Sequence, residues 1–122
     1  MQIKEQFFVC SNDRTEEIRK GLEDIPGIEL TRSGPRNVEI NPIGVNKARG
    51  IEELAGHFGI SLSQVMTLGD EENDIPMLKA AGYGVAMKNG SEDAKAAARF
   101  ITDSNNDGGW AKAVRKYALG EE

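Results

Sequence analysis

The sequence has 122 residues, 39% of them hydrophobic and 29% charged, with a formal net charge of −5, a size that suits one domain with a modest core. It holds no apolar run long enough for a transmembrane helix and its first residues lack the apolar stretch of a secretory signal, so neither is expected. The acidic balance and 6% aromatic content argue against nucleic-acid binding, and the single cysteine, Cys10, leaves no internal disulfide and fits a reducing cytoplasm.

A short apolar run predicts a strand over 7–10. Asp13-Arg14-Thr15-Glu16 reads as a capping box, and Ile18, Leu22 and Ile25 then share one helical face until Pro26-Gly27 stops it. Strand pieces follow at 28–31 and 38–40, so the opening forty residues predict β-α-β-β. Asn41-Pro42-Ile43-Gly44 reads as a break. After it, Ile51, Leu54, Ala55 and Phe58 mark the apolar face of a helix over 46–57, closed near Gly59. A buried-type strand at 65–68 leads to a helix with Pro76 early in it, ending before Gly82. A strand at 83–87, a helix at 92–99, a strand at 100–102 and an amphipathic helix carrying Trp110, Val114 and Tyr117 complete the chain. Strands alternating with helices at this spacing predict a parallel α/β sheet.

The most informative segment is Gly69-Asp70-Glu71-Glu72-Asn73-Asp74. It gathers acids and an amide where a buried strand gives way to a helix, and ligands of open α/β sheets bind at that carboxyl edge. Asp70 and Asp74 offer the hard oxygens that suit Mg²⁺, which takes one or two carboxylates plus waters and substrate phosphate. The helix start behind Asn73 adds N–H groups that favour an anion. The competing reading is a solvated acidic loop in which Asp74 or Asn73 only caps the helix. Lys47 is the second candidate: opening a helix after Gly44-Val45-Asn46, it can aim an ammonium and a helix N-terminus at one phosphate. Most lysines in such a position are plain surface residues.

Gly44-Val45-Asn46-Lys47, Gly69-Asp70-x-x-Asn73-Asp74 and Met77-Leu78-x-x-Ala81-Gly82-x-Gly84-Val85-Ala86-Met87 together resemble the haloacid dehalogenase (HAD) superfamily, and more narrowly its Cof-type phosphatases. Lys47 and Asp70 stand 23 residues apart, which suits the third and fourth motifs of that family. Residues 38–42 resemble the strand by which its members return from cap to core. The resemblance implies an α/β fold: over 43–122, part of a HAD-like (Rossmann-like) parallel sheet with helices, and over 1–42, the C-terminal part of an α+β cap. It implies Mg²⁺ as cofactor, bound by Asp70, with Asp74 either supporting the metal or orienting Lys47, and Glu71 near a metal-bound water. Lys47 and Asn73 would hold phosphoryl oxygens, Lys47 offsetting charge in the transition state. In the family reaction an aspartate attacks phosphorus and water hydrolyses the aspartyl-phosphate. The implied partner is a small phosphorylated metabolite such as a sugar phosphate.

The nucleophile of that chemistry belongs to a DxDxT-like motif after an N-terminal strand, and no two aspartates here stand two apart. The nearest mimic, Ser11-Asn12-Asp13-Arg14-Thr15, has a serine in the nucleophile's place and reads better as a helix cap. The expectation is therefore the C-terminal part of a Mg²⁺-dependent phosphatase, inactive by itself; the alternative is a non-catalytic phosphate- or partner-binding remnant. The phosphorylation domains of P-type cation pumps share the 70–87 signature but need membrane helices and a different lysine context. In the family sheet the nucleophile strand lies beside 65–68, so its absence would expose an apolar edge and invite self-association through 65–70. Asp103-Ser104-Asn105-Asn106-Asp107-Gly108 opens like an EF-hand loop but carries Val114 at the twelfth position, and reads as a polar loop. His57 reads as a helix-end dipole partner, and Cys10 and Trp110 as packing residues.

Overall fold

The computed structural model describes residues 6–9 and 14–121, with side chains from Arg14 onward. The chain divides into two units, 1–46 and 47–122. In the first, β1 (Gln6–Val9), α1 (Thr15–Leu22), β2 (Ile28–Thr31) and β3 (Asn37–Pro42) follow the predicted β-α-β-β order. The strands form an antiparallel sheet in the order β1-β3-β2. Gln6 lies opposite Ile40 and Val9 opposite Asn37, while Ile28 lies opposite Pro42 and Thr31 opposite Glu39. As the middle strand, β3 is covered along Val38, Glu39 and Ile40.

Two boundaries differ from the sequence reading. Helix α1 stops at Leu22 and leaves Ile25 in a turn, its N–H on the Leu22 carbonyl, because the residue before a proline is pushed out of the helical region. Strand β3 runs through Asn41 and Pro42, where a break was expected, because β2 pairs with both; a proline is tolerated at a strand end. The expected cap Asp13 lies outside the described residues, as do Cys10, Ser11 and Asn12.

The second unit alternates α2 (Lys47–Phe58), β4 (Met66–Gly69), α3 (Ile75–Ala80), β5 (Tyr83–Met87), α4 (Glu92–Ala97), β6 (Phe100–Thr102) and α5 (Gly109–Ala113). Its sheet is parallel in the order β4-β5-β6, with Met66 beside Tyr83 and Val85 beside Phe100. Parallel neighbours need crossover connections, and α3 and α4 supply them. The central strand β5 buries Val85, Ala86 and Met87, the continuous apolar run of a strand covered on both faces. Against it sit Leu78, Ala81, Ala94 and Ala113, all buried, so the core is built largely from small side chains that let helices approach the sheet. Ser91 caps α4, its Oγ accepting the Ala94 N–H at 3.2 Å. That helix ends two residues before the predicted Arg99, because the Arg99 N–H turns to the Gly84 carbonyl on β5 at 2.9 Å.

Packing corrects two apolar assignments. Helix α5 buries Gly109 and Ala113, four residues apart on its inner face, and so turns Trp110 outward at 62% exposure. The packing aromatic is instead Tyr117 of the π-helical turn Val114–Ala118, stacked on Phe100 at 4.6 Å between ring centres. On α2, Ala55 is buried, whereas Leu54 and Phe58 of the adjoining row remain 57% and 67% exposed. Among the described residues no helix is long and apolar enough to cross a membrane.

Candidate active site

The parallel sheet aligns the carboxyl ends of its strands, so the loops after Gly69, Met87 and Thr102 leave on the same edge. Main-chain and amide contacts tie them together. The Ser91 N–H donates to the Asp70 carbonyl at 2.8 Å, and the Asn105 N–H donates to Asn89 Oδ1 at 3.0 Å. Gly90 sits so close to Asp70 that an added Cβ would lie 2.8 Å from its carbonyl oxygen.

Asp74 is the centre of the first loop. It occupies the cap position of α3, yet its side chain does not cap that helix. The carboxylate turns back instead: Oδ2 accepts the N–H of Asp70 at 2.8 Å and of Glu71 at 3.2 Å. Its Oδ1 accepts Lys47 Nζ at 2.5 Å. The side chain of Asp74 is 6% exposed and that of Lys47 48%, so the acid is locked inside while the ammonium reaches the surface. The solvated-loop reading thus fails for Asp74. A short 3₁₀ turn, Glu72–Asp74, gives the loop its tightness, and at Gly69 there is no room for a side chain, since an added Cβ would fall 2.4 Å from Asp74 Cβ.

Electrostatics separate the two aspartates. Burial by itself would push Asp74 up; hydrogen bonds from Lys47 and the Asp70 and Glu71 N–H groups outweigh it and hold the carboxyl below the usual range. Asp70 moves the other way, raised first by burial and then by the neighbouring Asp74 charge, with Lys47 and its own N–H opposing.

The structure thus brings together Lys47, Asp70 and Asp74, which the sequence leaves 27 residues apart at their extremes. Asn73 lies half-buried in the same 3₁₀ turn and has an interaction partner within the chain. Sequence reasoning missed the supporting residues Asn89, Gly90 and Ser91. Their signals were faint: an Asn-Gly turn pair and a serine before Glu92-Asp93. Among the described residues no group of three or more His, Cys, Asp or Glu side chains gathers as a metal cluster.

Comparison with known proteins places the chain in a family. A profile of haloacid dehalogenase-like hydrolases matches residues 2–114. The chain is 43% identical over 108 residues to 5-amino-6-(5-phospho-D-ribitylamino)uracil phosphatase YcsE of Bacillus subtilis, covering 88% of this chain and 42% of that protein. Among solved structures it superposes on the HAD subclass IIB sugar phosphatase BT4131 with a TM-score of 0.86 and 36% identity, over 98% of this chain and 45% of that one. The phosphatase BT1666 of Bacteroides thetaiotaomicron gives a TM-score of 0.80 at 35% identity, over 95% and 42%. The chain therefore spans less than half the length of these relatives. It belongs to the haloacid dehalogenase-like hydrolases, a family of phosphatases with a mixed α/β fold.

Proposed function

We propose that the chain is the C-terminal part of a Mg²⁺-dependent, cytoplasmic phosphatase of the Cof type that hydrolyses small phosphate esters through an aspartyl-phosphate, the nucleophilic aspartate lying outside these 122 residues. On this reading 43–122 is part of the catalytic core and 1–42 part of its cap. One observation carries the reading: the buried Asp74 fixes Lys47 and the Asp70 backbone together at the carboxyl end of β4. The phosphorylated ribityl and sugar compounds in the names of the relatives support a sugar phosphate or similar ester as substrate.

The geometry supports a role for each of these residues. Lys47 places a fixed positive charge where phosphoryl oxygens gain charge, and Asn73, in the adjoining turn, supplies an amide to the same oxygens. Asp74 has both oxygens engaged by Lys47 and main-chain N–H groups, which supports the orienting role expected of it over the metal-ligand role. Asp70 is then the principal metal ligand. Its desolvated, raised carboxyl fits Mg²⁺, which needs only one or two protein carboxylates beside waters and phosphate. When bound, the ion would draw charge from the transferring phosphoryl group.

The test is complementation. Fused to the N-terminal segment of the Bacillus relative that this chain does not match, it hydrolyses p-nitrophenyl phosphate in Mg²⁺, and Asp70→Asn in that fusion lowers kcat by about 10²-fold or more. Activity that survives Asp70→Asn overturns the assignment. The chain's lack of a paired-aspartate motif favours one second reading, a non-catalytic phosphate-binding module. Calorimetric binding of phosphate with Mg²⁺ to the lone chain, combined with a fusion that stays inactive, selects it.

A further inference from the structure

The main chain of Asp70 is held from both sides. Its N–H donates to Asp74 Oδ2 at 2.8 Å, and its carbonyl accepts the Ser91 N–H, also at 2.8 Å. With the backbone pinned, only the side-chain torsions remain to aim the carboxylate. The first bond comes from Asp70's own loop. The second comes from the turn Asn89-Gly90-Ser91, which connects β5 to α4 and has no task in the phosphatase roles above.

That turn is fixed at each of its residues. The Gly90 N–H closes it on the Met87 carbonyl at 2.9 Å. Ser91 ends it by capping α4, its Oγ accepting the Ala94 N–H. Asn89 anchors it outward, its exposed side chain accepting the Asn105 N–H at 3.0 Å and so tying the turn to the loop after β6. At Gly90 the turn lies flush against Asp70: an added Cβ would stand 2.8 Å from the Asp70 carbonyl oxygen, 2.9 Å from its Cα and 3.0 Å from the Met87 carbonyl oxygen. The φ of Gly90 is not positive, so the close approach to neighbouring backbone, and not the conformation, is what calls for a glycine.

We propose that Asn89-Gly90-Ser91 is a positioning element for Asp70 that sets how much Mg²⁺ the site needs. Gly90 lets the turn come close, the Ser91 N–H holds the Asp70 carbonyl, and Asn89 keeps the turn in place. The inference rests on the reading of Asp70 as the metal ligand. A ligand already held in its productive direction binds without first being ordered, and a loosened one holds the same ion more weakly. The turn acts through the Asp70 backbone, so its loss is read in the metal requirement and not in the affinity for substrate.

The test uses the fusion to the Bacillus N-terminal segment and, beside it, the 122-residue chain free of metal. In the fusion, Gly90→Ala raises the Mg²⁺ concentration for half-maximal turnover by about tenfold and Asn89→Ala by about threefold, while KM for p-nitrophenyl phosphate at saturating Mg²⁺ stays at the parent value. A turn that only supported folding would lower the folded fraction and leave the Mg²⁺ requirement where it was. In the metal-free chain, Asn89→Ala speeds exchange of the Ser91 amide proton by about threefold or more, and Asn89→Asp, whose carboxylate still accepts the Asn105 N–H, restores the protection. Asn89 is exposed, so both of its variants are expected to fold as the parent does. A fusion without Mg²⁺-dependent turnover, or one that Asp70→Asn leaves active, overturns the phosphatase reading and this inference with it. If Asp70→Asn inactivates the fusion but both turn variants keep the parent Mg²⁺ requirement, or if Ser91 exchange is unchanged in Asn89→Ala, this inference alone is overturned.

Discussion

Asp74 and Asp70 are four residues apart and titrate in opposite directions, and the reason is what each faces. Asp74 accepts three hydrogen bonds, one from an ammonium and two from main-chain N–H groups. Asp70 faces partial burial and the charge of Asp74. Replacing Asp74 by Asn removes the charge from those bonds and is expected to cost about 1.5–3 kcal/mol at neutral pH, read from urea denaturation. The pH dependence follows from the signs. A carboxyl held low in the folded chain contributes stability that is complete above the ordinary aspartate range and is lost as pH falls through the lowered folded value. The gap between wild type and Asp74→Asn should therefore close in acid. Asp70 is held high, so its ionised form opposes folding, and that penalty is relieved as pH falls through its raised value. Asp70→Asn should accordingly melt above wild type at neutral pH, with the advantage shrinking as pH drops. A variant that melts below wild type throughout would contradict this account. Gly69→Ala tests the same loop sterically: its Cβ would overlap Asp74 Cβ, and a loss of about 1–3 kcal/mol is expected.

At the scale of elements, β4 is the informative strand. Among the described residues it ends the sheet β4-β5-β6, with β5 alone beside it, and half of its residues are buried. An edge that carries both unpaired main-chain groups and apolar side chains recruits further strands. Helix α2 leaves Leu54 and Phe58 largely exposed, a second apolar surface without a covering element among the described residues. Self-association of the lone chain through residues 65–70 is the expected consequence, seen as concentration-dependent sedimentation and suppressed by Met66→Lys on the edge. A monomeric profile at high concentration would remove that expectation.

The whole chain matches its relatives over 88–98% of its own length but only 42–45% of theirs. Its candidate site residues gather at the carboxyl edge of a three-stranded parallel sheet. By the proposal, the nucleophile would come from sequence these residues do not contain. The lone chain is expected to give no release of phosphate from p-nitrophenyl phosphate above buffer in Mg²⁺, under conditions where a full-length relative turns over. Measurable turnover that Asp70→Asn abolishes would show a nucleophile within the chain and overturn the proposed division of labour.

The sequence determined the alternation of strands and helices almost completely, because that alternation is written in local periodicity and in residues such as Pro76, which sits in the first turn of α3. It also singled out Lys47, Asp70 and Asp74, because their types and their positions at element boundaries are local properties. It could not settle whether Asp74 caps a helix or clamps a lysine. That depends on α2 bringing Lys47 within 2.5 Å across 27 residues, a distance only folding fixes. Periodicity likewise assigned Leu54, Phe58 and Trp110 to buried faces. An apolar residue near an interior stripe reads the same whether or not a neighbour arrives to cover it. Only tertiary packing decided that Gly109 and Ala113 face inward and Trp110 outward.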